Sequence, residues 1–248
     1  MHADMSENQP HGDFRAVYLI LGGLMMNQTM KNRRMTTSAV MLALATVLAL
    51  VCAFIPFLHL PFGGGFTIAS MLPIVVIAYM YGVKWGLFVS LTYSVIQIVM
   101  DLCFGSGGVI MALFTPTSDD YMGMVAAFSI LVIDYILAYS VLCMGGVFRN
   151  RIRNKALSLC LGAVVALSLR YLCHIVSGYI FYGAWAEWFF TQEGFFAIGG
   201  WIMDVFTGKG LALVYSIFYN GLYMIPEIVI TAIAAAIVSR VSAIKKEA

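Results

Sequence analysis

Six stretches of this chain are apolar for close to, or beyond, the length a helix needs to cross a lipid bilayer, and that leaves few folds open. They run 36–57, 66–81, 85–104, 121–148, 156–183 and 211–240. A helix rises about 1.5 Å per residue and the hydrocarbon layer is about 30 Å thick, so about 20 apolar residues span it. Inside that layer a segment must satisfy its own backbone N–H and C=O groups, which selects helices. Composition agrees: 62% of the residues are hydrophobic and 10% charged, a balance no water-soluble domain of this length needs. The expected fold is an all-α membrane protein, a bundle of six transmembrane helices. Segments 66–81 and 85–104 are short and meet around residues 82–84, so their boundaries stay open.

Basic residues orient the bundle, because Lys and Arg are retained in cytoplasmic loops. With the first span running outward, Lys31, Arg33, Arg34, Lys84, Arg149, Arg151, Arg153, Lys155, Arg240, Lys245 and Lys246 fall inside. These are eleven of the fourteen Lys and Arg residues. Lys209 alone lies in a predicted outer loop, together with the acidic Asp119, Asp120, Glu187, Glu193 and Asp204. Both termini are therefore expected in the cytoplasm.

The chain divides at the sequence level into a leader, 1–34, and a membrane domain, 35–248. Residues 17–26 are apolar but too short to cross, and no strong basic region precedes them. Two readings stay open for the leader: a disordered or surface-lying segment, or a start codon placed too early, since Met30 precedes the basic run 31–34. The five cysteines stand singly, without CxxC or Cys/His spacing, and read as small buried side chains. No metal site is expected.

Polar residues inside the spans carry the functional information, because burying them in hydrocarbon is costly. The fifth span holds Arg170, His174, Gly178 and Tyr182 at intervals of four, one stripe on a helix. Gly178 removes a side chain from the middle of that stripe, leaving a gap flanked by His and Tyr where a flat ring fits. Asp134 lies roughly 20 Å into the fourth span, followed by Tyr135 and Tyr139. It reads either as an ion pair with Arg170 or as a carboxylate facing a ligand. The sixth span stacks Tyr215, Tyr219, Tyr223 and Glu227, with Asn220 beside them and Pro226 expected to bend the helix. Asn220 and His174 are each roughly 13 Å from the outer ends of their helices, so antiparallel neighbours bring them level. The third span places Tyr93, Gln97 and Asp101 on one face. The glycine-rich connection 58–66 offers a lid or a plain turn, and Ala39, Ala43, Ala45 and Ala49 form small-residue pairs suited to close helix contact.

The motifs LPFGGGFTIASMLPI, IDYILAYS, RYLCHIVSGYIFYG and VYSIFYNGLYMIPE resemble, in this order along the chain, those of the thiamine-specific S components (ThiT family) of energy-coupling factor (ECF) vitamin transporters. The similarity runs from about Met35 to the end of the chain. It implies a substrate-binding membrane subunit in the bacterial cell membrane that takes up thiamine from outside. It implies no enzymatic activity and no cofactor of its own, with ATP used by two partner ATPases that act through a transmembrane coupling subunit. Carried over, the family's pocket falls on Asp134, Tyr135, His174, Tyr182, Tyr215 and Asn220. Asp134 takes the charge and hydrogen-bond role, His174 and Tyr182 the stacking walls, and Asn220 and Tyr215 orient the ligand. Arg170, Phe66 and Glu227 are expected as pocket support or lid, with Arg170 positioning Asp134, and Ala39 and Ala43 as the docking contact for the coupling subunit. Some relatives carry Trp where this chain has Tyr182.

No Walker A sequence or nucleic-acid motif is present. Three alternatives remain: an S component for another vitamin such as riboflavin, an ion-coupled carrier using Asp134 and Glu227, or an intramembrane enzyme using Asp101, Asp134 or Asp204.

Overall fold

A computed structural model of the chain describes residues 11–60, 65–104, 109–119, 121–241 and 244. It divides into two compact units, Met1–Val40 and Met41–Ala248. The described part of the first unit belongs to α1 (His11–Ala53), on which Ala39 is exposed. Residues 1–10 of the proposed leader and residues 61–64 of the glycine-rich connection lie outside the described residues.

The second unit is helical, with no strand among its described residues. Five helices are long and apolar enough to cross a membrane: Met25–Ala53, Val83–Cys103, Met124–Gly146, Lys155–Phe181 and Gly208–Val238. They correspond to the expected spans 36–57, 85–104, 121–148, 156–183 and 211–240. The segment 66–81 differs. Its helix, α2 (Leu72–Tyr81), has ten residues and reaches only about 15 Å. Residues 66–71 stay out of it because Glu227 Oε2 holds Thr67, accepting from the Thr67 N–H at 2.8 Å and its hydroxyl at 2.7 Å. All residues from Leu72 to Met80 are buried. Their unbroken apolarity therefore answers to protein neighbours on every side, the pattern of a core helix rather than a lipid-facing span.

Close approach around α2 depends on missing side chains. A Cβ on Gly146, in the 3₁₀ segment Val141–Gly146, would strike the Ala78 carbonyl oxygen, and one on Gly162 of α7 (Lys155–Phe181) would strike that of Gly145. With little hydrophobic gain available between helices in lipid, such backbone contact supplies the packing. α7 and α10 (Gly208–Val238) form the most extensive helix pair. Their seam carries polar cross-links: Ser216 Oγ donates to the Ile175 carbonyl at 2.7 Å, Tyr171 OH to Ile217 at 2.6 Å, and Asn220 Nδ2 to His174 at 3.2 Å. α10 continues through Pro226 without interruption.

The fourth span is a composite. After Gly123, whose φ of +92° suits glycine, come α5 (Met124–Ile130), a π-helical stretch Leu131–Leu137, α6 (Ala138–Ser140) and the 3₁₀ segment. Asp134 and Tyr135 sit in the π-helical stretch, and Ser94 Oγ of α3 (Val83–Phe104) donates to the Tyr135 carbonyl at 3.0 Å. α4 (Val109–Phe114) is capped by Asp101, whose Oδ2 accepts from the Ile110 N–H at 2.9 Å. Asp101 thus has a structural partner on the chain.

The expected outer loop before the last span is folded into α8 (Ala186–Phe190) and α9 (Phe196–Val205). Phe189 is buried with its ring centroid 5.3 Å from Tyr215, 5.8 Å from Tyr219 and 4.5 Å from Phe195. Trp188 and Trp201 are exposed, as interfacial side chains are, whereas Trp185 packs against the core.

Two stability effects follow. Gly162→Val should drive a branched side chain into the Gly145 backbone and cost at least about 1–3 kcal/mol, read as a lowered melting temperature of the detergent-purified protein. Glu227→Ala leaves the Thr67 donors unpartnered and should cost roughly 1–3 kcal/mol, with Thr67→Val losing less because only the hydroxyl goes. An unchanged melting temperature in either alanine or valine variant would contradict the packing described.

Candidate functional site

Two neighbouring helices and their polar stripes place the site. Arg170, His174 and Gly178 are buried along α7 with Tyr182 at its end, and Tyr215, Tyr219, Tyr223 and Glu227 are buried along α10. Side chains four apart share a helix face, so α7 and α10 each present one stripe. Between α7, α10, the composite span, α3, the C-terminal end of α1 and residues 58–60 and 65–67 lies a cavity of about 450 Å³. That volume is in the range of small-molecule sites. Asp134, Tyr135, His174, Tyr182, Tyr215 and Asn220 all line it, as do Arg170, Phe66 and Gly178. Glu227 does not; it reaches the wall through Thr67, which does. Ala39 and Ala43 are exposed on α1, while Ala45 is buried against α3, with the Tyr93 hydroxyl 3.4 Å from its carbonyl.

At the centre stands the Asp134 carboxylate. Its Oδ1 lies 2.8 Å from His174 Nδ1, and its Oδ2 accepts from the Ser177 hydroxyl. The expected pairing of Arg170 with Asp134 is not what forms. Arg170 instead lies over the Tyr139 ring, 3.9 Å from its centroid, and the side chains that meet the Asp134 carboxylate are His174 and Ser177. The reason is register: the acidic face of the composite span meets α7 at His174 and Ser177, one turn nearer the Tyr182 end, and Arg170 falls opposite Tyr139. Ser177 has a role that the stripe of four-residue steps passes over, although its position three residues after His174 places it on the same face.

Gly178 also acts differently from the expectation of a vacant space for a ring. A Cβ there would meet Ser216 Oγ, and Asn220 Nδ2 at 3.0 Å, so its absence lets α10 approach α7. Asn220 and His174 are level, as antiparallel neighbours should be. However, the Asn220 amide is largely engaged within the protein. Nδ2 donates to the Ser216 carbonyl at 2.8 Å and to that of His174, and Oδ1 accepts from the Tyr223 hydroxyl. Of its hydrogen-bonding capacity, one Oδ1 lone pair remains for a ligand.

Aromatic surface dominates the remaining wall: Tyr135, Tyr139, Tyr182, Tyr215, Tyr219 and Tyr223 all line it. Phe189 and Tyr219 flank Tyr215, and Tyr223 meets His174 edge-on at 5.9 Å. Two carboxylates, Asp101 and Asp134, face one guanidinium, Arg170, among the lining groups. Aromatic faces with a surplus of negative charge suit a flat ligand bearing one positive charge. Among the described residues no three His, Cys, Asp or Glu side chains gather as metal ligands.

Comparison with known proteins points the same way. The chain is 28% identical over 218 residues to the thiamine transporter ThiT of Bacillus subtilis (strain 168), covering 84% of this chain and 91% of that protein. A solved structure of ThiT from Listeria monocytogenes shares the fold, with a TM-score of 0.50 at 22% identity over 82% of this chain and 94% of that one. The thiamine transporter protein family (Thia_YuaJ) matches residues 35–188, more than half of the 248 residues, with the Asp134, His174 and Tyr182 positions inside the match. By that match the chain is a member of the thiamine transporter protein family.

Proposed function

We propose that this multi-pass cell-membrane protein captures thiamine from outside the cell in the cavity around Asp134 and hands it to an ATP-driven partner module. The observation that carries the reading is a half-buried carboxylate, fixed by His174 and Ser177, in a cavity walled by tyrosines. Thiamine joins an aminopyrimidine to a permanently cationic thiazolium. Its charge balances the surplus of one carboxylate over the single guanidinium, and its two rings lie against Tyr182, Tyr215 and His174. With His174 neutral and Nδ1–H donating to Asp134, Nε2 is an acceptor for the ligand's amino group.

In this proposal the membrane domain, 35–248, crosses six times by counting α2 and its connections as the second crossing, with both termini in the cytoplasm. The basic residues at 31–34, 84, 149–155 and 240–246 support that orientation. An ECF-type transmembrane coupling subunit docks on the exposed small residues Ala39 and Ala43, and two ATPase subunits supply the energy.

Titration of the purified protein with thiamine tests the core of the reading. Saturable binding that riboflavin does not displace is expected, and no saturable binding would sink it. Asp134→Asn should weaken thiamine binding by about 2–4 kcal/mol, a roughly 30- to 700-fold rise in Kd, with the melting temperature of the free protein little changed. Unchanged affinity would remove Asp134 from the site. Phe189→Ala should raise Kd by roughly tenfold by loosening Tyr215 and Tyr219, and Phe189→Trp should restore most of the affinity; equal affinity in all three proteins would detach the α8–α9 hairpin from the pocket.

A further inference from the structure

The cavity's polar atoms fall into two groups. One group already has partners in the protein: both oxygens of Asp134, the amide of Asn220, and Asp101 Oδ2. The other is buried, lines the cavity and has no hydrogen-bond partner among the described residues. It consists of nitrogens: Arg170 Nε and Nη1, Gln97 Nε2 and His174 Nε2. The proposed function gives His174 Nε2 a ligand amino group. It leaves the Arg170 guanidinium and the Gln97 amide nitrogen, groups that donate and do not accept.

Arg170 is 7% exposed. Its guanidinium carbon lies over the Tyr139 ring, 3.9 Å from the centroid, and Nε and Nη1 make no hydrogen bond among the described residues. Tyr139 meets Tyr93 edge-on at 5.4 Å, and Gln97 follows Tyr93 by one turn on α3. Arg170, Tyr139 and Gln97 all line the cavity, Tyr93 is buried between Tyr139 and α3, and Arg170 lies one helical turn from His174. A buried donor without a partner costs free energy comparable to a lost hydrogen bond, and a charged one costs more. A ligand that brings an acceptor to this place recovers that energy; one that does not leaves it unrecovered.

We propose that Arg170 and Gln97 form a subsite for an acceptor oxygen at the end of the ligand's side arm, as a hydroxyl or as a phosphate-ester oxygen. The inference rests on thiamine as the ligand. With its ring charge at Asp134, beside His174, the hydroxyethyl arm extends towards Arg170, which lies about 6 Å from His174 along α7 by helical rise. Arg170 and Gln97 are then specificity-determining residues: they select against a ligand that ends in a methyl group, because such a ligand leaves their donors unpartnered.

The test compares three ligands on wild-type protein, Gln97→Leu and Arg170→Lys: thiamine, its analogue with the side-arm hydroxyl replaced by hydrogen, and thiamine monophosphate. Because each preference is a ratio of Kd values within one protein, partial loss of folded material does not disturb it. Wild type should favour thiamine over the deoxy analogue by roughly tenfold or more, and both substitutions should shrink that ratio to about threefold or less. Monophosphate binding as tight as thiamine or tighter assigns the subsite to a phosphate oxygen; much weaker binding assigns it to the hydroxyl. Thiamine binding with no preference over the deoxy analogue in wild type overturns the subsite alone, as does a ratio that survives both substitutions. Absence of thiamine binding by wild type overturns the proposed function and the subsite with it.

Discussion

The structure depends on a half-buried carboxylate held in place by two partners on a neighbouring helix. Asp134 stands in a membrane-spanning segment, where an isolated charge is costly, and a histidine ring and a serine hydroxyl from α7 meet its two oxygens. Those contacts tie the composite span to α7, and α7 is in turn tied to α10 by Ser216, Asn220 and Tyr171. The three walls of the cavity are thereby fixed by polar contacts that are stronger, and more specific in geometry, than the apolar contacts around them. The site is preorganised: a ligand finds the carboxylate already oriented.

Around that core, small residues and aromatics divide the work. Gly145, Gly146 and Gly162 let backbones touch around the buried α2, while Phe189 and the tyrosines fill the outer end. The α8–α9 hairpin joins the two regions, since Phe189 of α8 rests on Tyr215 and Tyr219, whose other sides line the cavity. Glu227 does the corresponding task at residues 65–67, holding Thr67 where a helix would otherwise extend.

Much of this was legible in the sequence, and for a stated reason. A charge or imidazole in an apolar run is costly, so its presence marks a partner or a ligand, and the four-residue stripes on α7 and α10, Glu227 apart, identified side chains that line the cavity. What the spacing did not carry is azimuth between helices. It set Asp134 and Arg170 at comparable depth, but depth alone does not say which residue faces which, and Asp134 meets His174 and Ser177. Likewise Gly178 reads as a gap along its own helix, whereas the gap belongs to α10. The run 66–81 was apolar enough for a span because burial in protein and burial in lipid select the same side chains; Pro73 in the first turn marks where the helix begins, and the Glu227 contact, 160 positions away, holds Thr67 outside it.

The π-helical stretch Leu131–Leu137 gives the composite span one more property. In an α-helix successive side chains point about 100° apart, so two neighbours seldom serve one pocket. A turn that takes in an extra residue narrows that divergence, and here the adjacent Asp134 and Tyr135 both line the cavity. The additional residue acts as a phase shift written into the chain. Everything after it, including Tyr139 beneath Arg170 and the glycines that meet α2, takes its facing from that insertion. A chain one residue shorter between 131 and 137 would have the same composition and hydropathy, and a different face turned to the ligand.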